Sequence, residues 1–372
     1  MTEETKQKAA IQDDAGLAGK AADQAAKKEA EEKEKEMVRE IIRSKKIAVL
    51  TGGTSPQRDI SLKSGEAVFN ILKEEGCNVV LIDVDKDVAQ KLGEEKPDVA
   101  FITLLGKRGS DGSIQGLLEI MEIPYTGSGV LASSQSSHKA AAKEILERYQ
   151  LSTPAWEILT QEAFRSGTVM MLDLPLVFKP ATGGGSMGVH ICFKGYLQDQ
   201  TMEKTYALDP EALIGERLVD GKLLSVGIID DTPLPVLEIE SQNEFYDYNS
   251  KHEDLEKTTF FLPPKITAKK QKLLQDLALK AHKVLRCKGA TRVDLMLNQV
   301  GNPFLLEVNA TPELTEHAPL VIAAKAAGME HRDLLFQIVE LAIPAQVEAE
   351  LKAMKEKEKE AEEAKTLEAS RA

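Results

Sequence analysis

Two short stretches carry side chains whose types and spacing suit chemistry on a charged substrate. Arg292-Val293-Asp294 and Glu307-Val308-Asn309 each place one apolar residue between two polar ones. Residues two apart in a strand share a face, so Arg292 lies with Asp294 and Glu307 with Asn309. The segment between them, Asn298-Gln299-Val300-Gly301-Asn302, reads as a hairpin turn. If the two faces coincide, Asp294, Glu307 and Asn309 bring hard oxygen donors together, a set suited to Mg²⁺. Arg292 beside them could hold a phosphate or stabilise a developing anion. The same residues could equally form an Arg–carboxylate network that closes a sheet edge.

A second candidate is the run Gly183-Gly184-Gly185-Ser186-Met187-Gly188 after Lys179-Pro180. Glycines let backbone N–H groups approach phosphate oxygens closely. No Gly-Lys-Ser/Thr follows, so this is not a P-loop, and the run joins two strands rather than opening a helix. An ordinary flexible turn has the same composition. Lys179, at the end of an apolar strand, strengthens the phosphate reading, and Lys139 is a further candidate or a solvated helix lysine. Gly52-Gly53-Thr54-Ser55, with Ser61 and Ser64 beyond, follows the first apolar run, where α/β sheets place ligands. Serine caps on a strand-to-helix turn are the alternative.

These groups need a scaffold, and the chain is long enough to supply one. Its 372 residues allow two or three domains at roughly 100–200 residues each. Lys46–Leu50, Asn78–Asp83 and Asp98–Thr103 read as strands, with a helix over about 64–75, which predicts a parallel α/β layer over 46–132. A central unit is expected over 133–222, with a helix from Lys139 and strands at Leu176–Lys179 and Val189–Phe193. A C-terminal unit over 223–344 holds a helix at 268–286 and the hairpin strands Thr291–Leu297 and Pro303–Val308. The ends, 1–45 and 345–372, are charged and rich in Ala, Glu and Lys. They predict solvated, frayed helices without a coiled-coil heptad, the first of them helical or disordered, or segments that pair with each other or dock a partner.

A net charge of −13 opposes nonspecific nucleic-acid binding. No apolar run reaches the roughly 20 residues of a membrane span, and the start of the chain carries no apolar signal core, which predicts a cytoplasmic protein. Cys77, Cys192 and Cys287 are far apart and flanked by apolar residues, which predicts buried thiols.

Taken in order, these motifs resemble the D-alanine–D-alanine ligases of the ATP-grasp superfamily over about residues 46–343. The resemblance also uses Gly109 to Gly116, Pro124 to Gly129 and Phe245-Tyr246-Asp247-Tyr248. It implies a three-domain ATP-grasp fold and an α/β architecture that begins with the parallel domain. It implies that ATP phosphorylates a first D-amino acid and that the amine of a second displaces phosphate, in peptidoglycan biosynthesis. Mg²⁺ would be held by Asp294, Glu307 and Asn309. ATP would meet Lys139, Lys179, the loop with Gly184, Gly185 and Ser186, Glu216 at the adenine, the backbone around Leu218, and Lys251 at the γ-phosphate. Arg292 would act on the tetrahedral intermediate, with Ser55 and Gln57 at the first amino acid. The resemblance suggests a homodimer.

The departures concentrate on amino-acid recognition. Gln57 stands where the family carries Glu, Leu105 for His, Ser110 for Glu, Gly185 for Ser and His252 for Tyr. Ala318 stands for Ser, Glu313 for Gly, and Leu223 for the Glu at the ribose. Gln57 cannot give the charge-assisted bond that a carboxylate gives an ammonium. An altered substrate, a tolerant D-alanine–D-alanine ligase and a catalytically silent relative all fit these changes.

Overall fold

The structure is a computed structural model that describes residues 27–166, 170–193, 199–209, 212–242 and 255–369. Residues 45–343 make one compact unit. Its first layer is built from β1 (Lys46–Gly52), α1 (Arg58–Glu74), β2 (Asn78–Val84), α2 (Val88–Glu95), β3 (Val99–Ile102) and α3 (Ser113–Ile120). The strands lie in the order β2-β1-β3, all parallel, with Ile47 opposite Val79 and Val99. Residues 47–52 of β1 are all buried, which explains their continuous apolar run. Helix α1 begins six residues before the predicted start. Its buried stripe of Ile60, Ser64, Val68 and Leu72 carries the helical spacing back past Ser64, where the predicted helix began.

The chain then runs through α4 (Val130–Ser137), α5 (Lys139–Arg148), β4 (Trp156–Thr160), α6 (Gln161–Arg165), β5 (Leu176–Pro180), β6 (His190–Cys192), α7 (Asp199–Leu208) and β7 (Ala212–Arg217). These strands form an antiparallel sheet ordered β4-β7-β5-β6. Its core joins Leu159, Phe178, Leu213 and Tyr206.

The third sheet uses β8 (Gly221–Ile229), β9 (Thr232–Pro233), β10 (Leu237–Ser241), β11 (Thr258–Phe261), β12 (Ala290–Asn298) and β13 (Pro303–Asn309). Its order is β11-β10-β8-β12-β13, with β9 beside β8, and all its pairs are antiparallel. Helix α8 (Ala268–Val284) covers it through Leu274, Ala278 and Ala281. The chain of this unit closes with α9 (Pro319–Ala326) and α10 (His331–Ala342).

The terminal helices, over 27–43 and Pro344–Ala369, belong to a second unit. They pair with each other. Lys33 reaches Glu358 at 2.9 Å and Lys355 reaches Glu34 at 2.8 Å, a crossed order that sets the helices antiparallel. The helices are largely exposed, as a solvated helix would be, and they also pair with each other. Both ion pairs are exposed and add little.

All three cysteines are buried free thiols, as expected. No helix among the described residues is long and apolar enough to cross a membrane. Leu295, fully buried where β12 meets α8, tests the third sheet. Leu295→Ala should lower unfolding free energy by about 2–5 kcal/mol, read by denaturant titration.

Candidate active site

The hairpin register decides whether the acidic corner exists. Arg292 lies opposite Asn309 and Asp294 opposite Glu307, so the two faces coincide. A register shift follows Asp294, and Ser225 on β8 faces Asp294 from the other side. Asp294 is held from three directions. Arg292 Nε donates to Oδ1 at 2.9 Å and Nη2 to Oδ2 at 2.7 Å. Ser225 Oγ donates to Oδ1 at 2.8 Å, and the Asn309 amide nitrogen lies 3.4 Å from Oδ2. Arg292 Nη2 is 3.8 Å from Glu307 Oε1. The two sequence readings are therefore not exclusive: an Arg–carboxylate network joins β12 to edge strand β13, and it gathers three oxygen-bearing side chains. Two carboxylates and one carboxamide fit a hard divalent cation, and Arg292 supplies the positive charge such a group needs. Ser225 was not picked out from the sequence. A serine inside an apolar strand was its only signal.

A second cluster forms where α5 meets the middle sheet. Glu216 on β7 is 2% exposed. Its Oε2 lies 2.7 Å from Lys179 Nζ on β5, and its Oε1 lies 3.0 Å from Lys143 Nζ on α5. Burial alone would push this carboxyl toward its neutral form, but Lys179 and Lys143 together outweigh burial and hold it below the usual carboxylate range. Oε1 is buried and faces the Lys143 ammonium, with no hydrogen bond of good geometry among the described residues. Lys143 too escaped the sequence reading. Its spacing of four from Lys139 was the available signal.

Lys139 opens α5 and fastens the glycine loop. Its Nζ donates to Gly183 O at 2.9 Å and its backbone N–H to Ala181 O at 2.8 Å. Asp209, also missed, accepts from the backbone N–H and hydroxyl of Thr182 at 2.7 and 3.0 Å. The half-buried Lys139 has its pKa drawn down to about 8, chiefly by burial and by Lys179, with Glu307 opposing.

These parts line one cavity of about 870 Å³, large enough for a nucleotide. Lys139, Lys179, Gly184, Ser186, Glu216 and Leu218 line it, as do Arg292, Asp294 and Glu307. Apolar walls come from Val177, Ile191, Leu223, Met296 and Leu306. Leu218 donates its backbone N–H to Pro175 O at 3.0 Å, which fixes the strand exit beside the cavity. Glu313, Thr315, His317 and Ala318, on the connection from β13 to α9, complete the lining. Glu313 accepts from Thr315 Oγ1 at 2.5 Å. Leu314 N–H donates to Ser64 Oγ at 3.0 Å, tying this connection to α1.

Ser55 and Gln57 sit differently. Neither is among the lining residues of this cavity. Ser55 Oγ donates to Leu105 O at 2.6 Å and accepts from the Gln57 N–H at 3.2 Å, so it organises the turn before α1. Gln57 is buried against the glycine loop: a Cβ on Gly185 would come within 2.9 Å of its Nε2, and one on Gly184 within 3.1 Å of its Oε1. Ser110 Oγ bonds the backbone of Gly106. Lys251, His252 and the stretch from Phe245 to Tyr248 lie outside the described residues.

A parallel layer followed by two antiparallel sheets, with phosphate-type loops and an oxygen-donor corner on one cavity, is the architecture of the ATP-grasp ligases. The family model for the C-terminus of D-ala D-ala ligase matches residues 145–340. The D-alanine–D-alanine ligase of Pelotomaculum thermopropionicum is 40% identical, over 80% of this chain and 96% of that one. The Bacillus anthracis D-alanine–D-alanine ligase superposes with a TM-score of 0.70 at 31% identity, over 82% of this chain and 99% of that one. A structure of that enzyme complexed with ATP gives 0.68 at 28% identity, over 82% and 100%. The chain belongs to the D-alanine–D-alanine ligase family.

Gly185 has a φ of +67°, a region that costs a residue with a Cβ about 1–2 kcal/mol. Gly185→Ala should therefore lower unfolding free energy by about that amount and shift Gln57. Denaturant titration and a crystal structure of the variant would check both effects.

Proposed function

We propose that this protein is an ATP-dependent carboxylate–amine ligase that joins two D-alanine molecules through an acyl-phosphate intermediate. The observation that carries the reading is the meeting of the Lys179–Glu216 cluster, the Lys139-anchored glycine loop and the Arg292–Asp294–Glu307 corner on one cavity, with Asn309 beside Asp294. Together they offer an acceptor for adenine, cations for phosphates and an oxygen set for a divalent cation.

In this reading Glu216 accepts from the adenine amino group, and Leu223, Met296 and Leu306 give the base an apolar bed. Lys139, Lys179 and the loop with Gly184, Gly185 and Ser186 hold the phosphates, with Lys251 reaching the γ-phosphate. Asp294, Glu307 and Asn309 hold Mg²⁺, which would neutralise charge on the transferring phosphoryl group. The first substrate's carboxylate oxygen takes the γ-phosphoryl group, and the P–O bonding pair leaves with ADP. The second substrate's amine then attacks the acyl carbon, and phosphate leaves with the C–O bonding pair. Arg292, oriented by Asp294, faces the oxyanion that develops in that attack. Use of ATP fits a cytoplasmic setting. Gln57 and Ser55 belong in this account to the loop on which the first substrate rests.

A second substrate class is favoured by one observation. Glu313 puts a carboxylate into the wall of the cavity beside Ala318, where an acceptor's own carboxylate would be repelled. Ligation of D-alanine to an acceptor with a neutral or cationic end fits that wall.

The test is phosphate release from MgATP with D-alanine alone and with D-alanine plus a panel of amines, with the amide identified by mass spectrometry. D-alanyl-D-alanine is the expected product. A product formed only with another amine would select the second class, and phosphate release with no amide would sink both. Asp294→Ala with Glu307→Ala should abolish turnover and, because Arg292 loses both carboxylates, also lower the melting temperature; Asp294→Asn with Glu307→Gln, which keeps acceptors for Arg292, should abolish turnover with a smaller drop.

The low Lys139 pKa gives a pH dependence. Its ammonium form, which phosphates prefer, is lost as pH rises through about 8. ATP affinity should therefore fall between about pH 7 and pH 9, with proton uptake on binding near pH 8, both read by calorimetry. Lys139→Met should bind ATP more weakly at neutral pH and remove the slope.

A further inference from the structure

Lys143 is a buried cation that no step above uses. It stands one helical turn beyond Lys139 on α5. Lys139 lines the cavity, whereas Lys143 is not among the lining residues and its side chain is 1% exposed. Its ammonium group reaches the Thr153 hydroxyl and lies 3.0 Å from Glu216 Oε1. Lys179, which does line the cavity, holds the other oxygen of the same carboxylate at 2.7 Å. One buried carboxylate thus faces two ammonium groups, and of these two only Lys179 is on the cavity.

This asymmetry matters when a nucleotide enters. A triphosphate competes for Lys179, because its oxygens carry more charge than one carboxylate. Glu216 is then left with Lys143. Burial drives an unpaired carboxyl toward its protonated form, and a protonated carboxyl can donate, whereas an ionised one only accepts. Adenine offers a 6-amino donor, and guanine offers a 6-carbonyl acceptor at the same place. The charge on Glu216 therefore decides which purine finds a partner.

We infer that Lys143 is a specificity-determining positioning residue: it keeps Glu216 an acceptor after the phosphates recruit Lys179, and so sets the preference for adenine over 6-oxopurine nucleotides. The inference rests on the nucleotide site proposed above but not on the identity of the amino-acid substrates. The lowered pKa of Glu216, to which both lysines contribute against burial, agrees with it. Burial and Lys179 draw the Lys143 pKa below its usual value, while Glu216 and then Glu147 favour the ammonium form; departure of Lys179 toward a phosphate removes one of the opposing influences.

The experiment measures MgATP and MgGTP affinities by calorimetry for the full-length protein and for Lys143→Met and Lys143→Gln. Methionine removes the charge and the donor at similar length. Glutamine keeps a donor without the charge. The wild type should favour ATP strongly. In Lys143→Met, ATP affinity should fall by about tenfold or more while GTP affinity holds or rises, because a buried polar partner is lost for one base only. Lys143→Gln should move the ratio the same way by less. A parallel loss for both nucleotides, or an unchanged ratio, would overturn the inference, since a purely structural role weakens the two alike. If Lys143→Met fails to fold in a thermal melt, the ratio in Lys143→Gln decides by the same criterion. A wild type that binds ATP but makes no amide would remove the ligase reading and leave this one standing. A wild type that binds no nucleotide would remove both.

Discussion

The site depends on keeping like and unlike charges buried together without leaving any of them alone. Glu216 is tolerable inside the middle sheet only because Lys143 and Lys179 face its two oxygens. Asp294 is tolerable at the hairpin only because Arg292 and Ser225 donate to it. Removing one partner from such a cluster costs far more than the pair contributes, because the survivor keeps its desolvation penalty. The fold is consequently most constrained at these points: β12 must lie between β8 and β13, and α5 must pack where Lys143 meets β7.

The two clusters are built in different ways, and this suits their work. The Arg292–Asp294 pair sits two residues apart on one strand, so its geometry is local and a rigid sheet fixes it. The Glu216 cluster is assembled from a helix and two strands, and one of its cations borders the cavity. A local pair can stay in place through a reaction. A cluster with one ammonium group on the cavity can exchange partners when an anion arrives. The glycine loop lies between these behaviours. Lys139 and Asp209 fasten its start, and Gln57 fills the space that side chains at positions 184 and 185 would need.

Much of this was legible in the residue order. Apolar runs gave β1 and β3 because a strand buried on both faces has no polar alternation, and β2, on the sheet edge, showed as an apolar run although several of its side chains are exposed. The two polar–Val–polar triplets gave the oxygen corner, since side-chain period in a strand is fixed at two. The glycine run gave the loop between β5 and β6. Less legible were Ser225, Lys143 and Asp209, which are single polar residues in unremarkable local sequence. Their partners lie 69, 73 and 27 positions away along the chain. The start of α1 was also misplaced, because serines on a buried helical stripe look like turn residues when only composition is read.

By itself, then, the sequence determined where most strands and helices lie and which residue types could hold phosphate and cation. Those properties follow from local period, backbone permissiveness and side-chain chemistry, all of which act over a few residues. Tertiary structure alone decided that the hairpin faces coincide, that Glu216 has two counter-ions of which one borders the cavity, that Gln57 packs on the glycine loop, and that the charged ends pair. Each of these joins residues remote in sequence, and the burial that sets their charge and partners exists only once the sheets have packed.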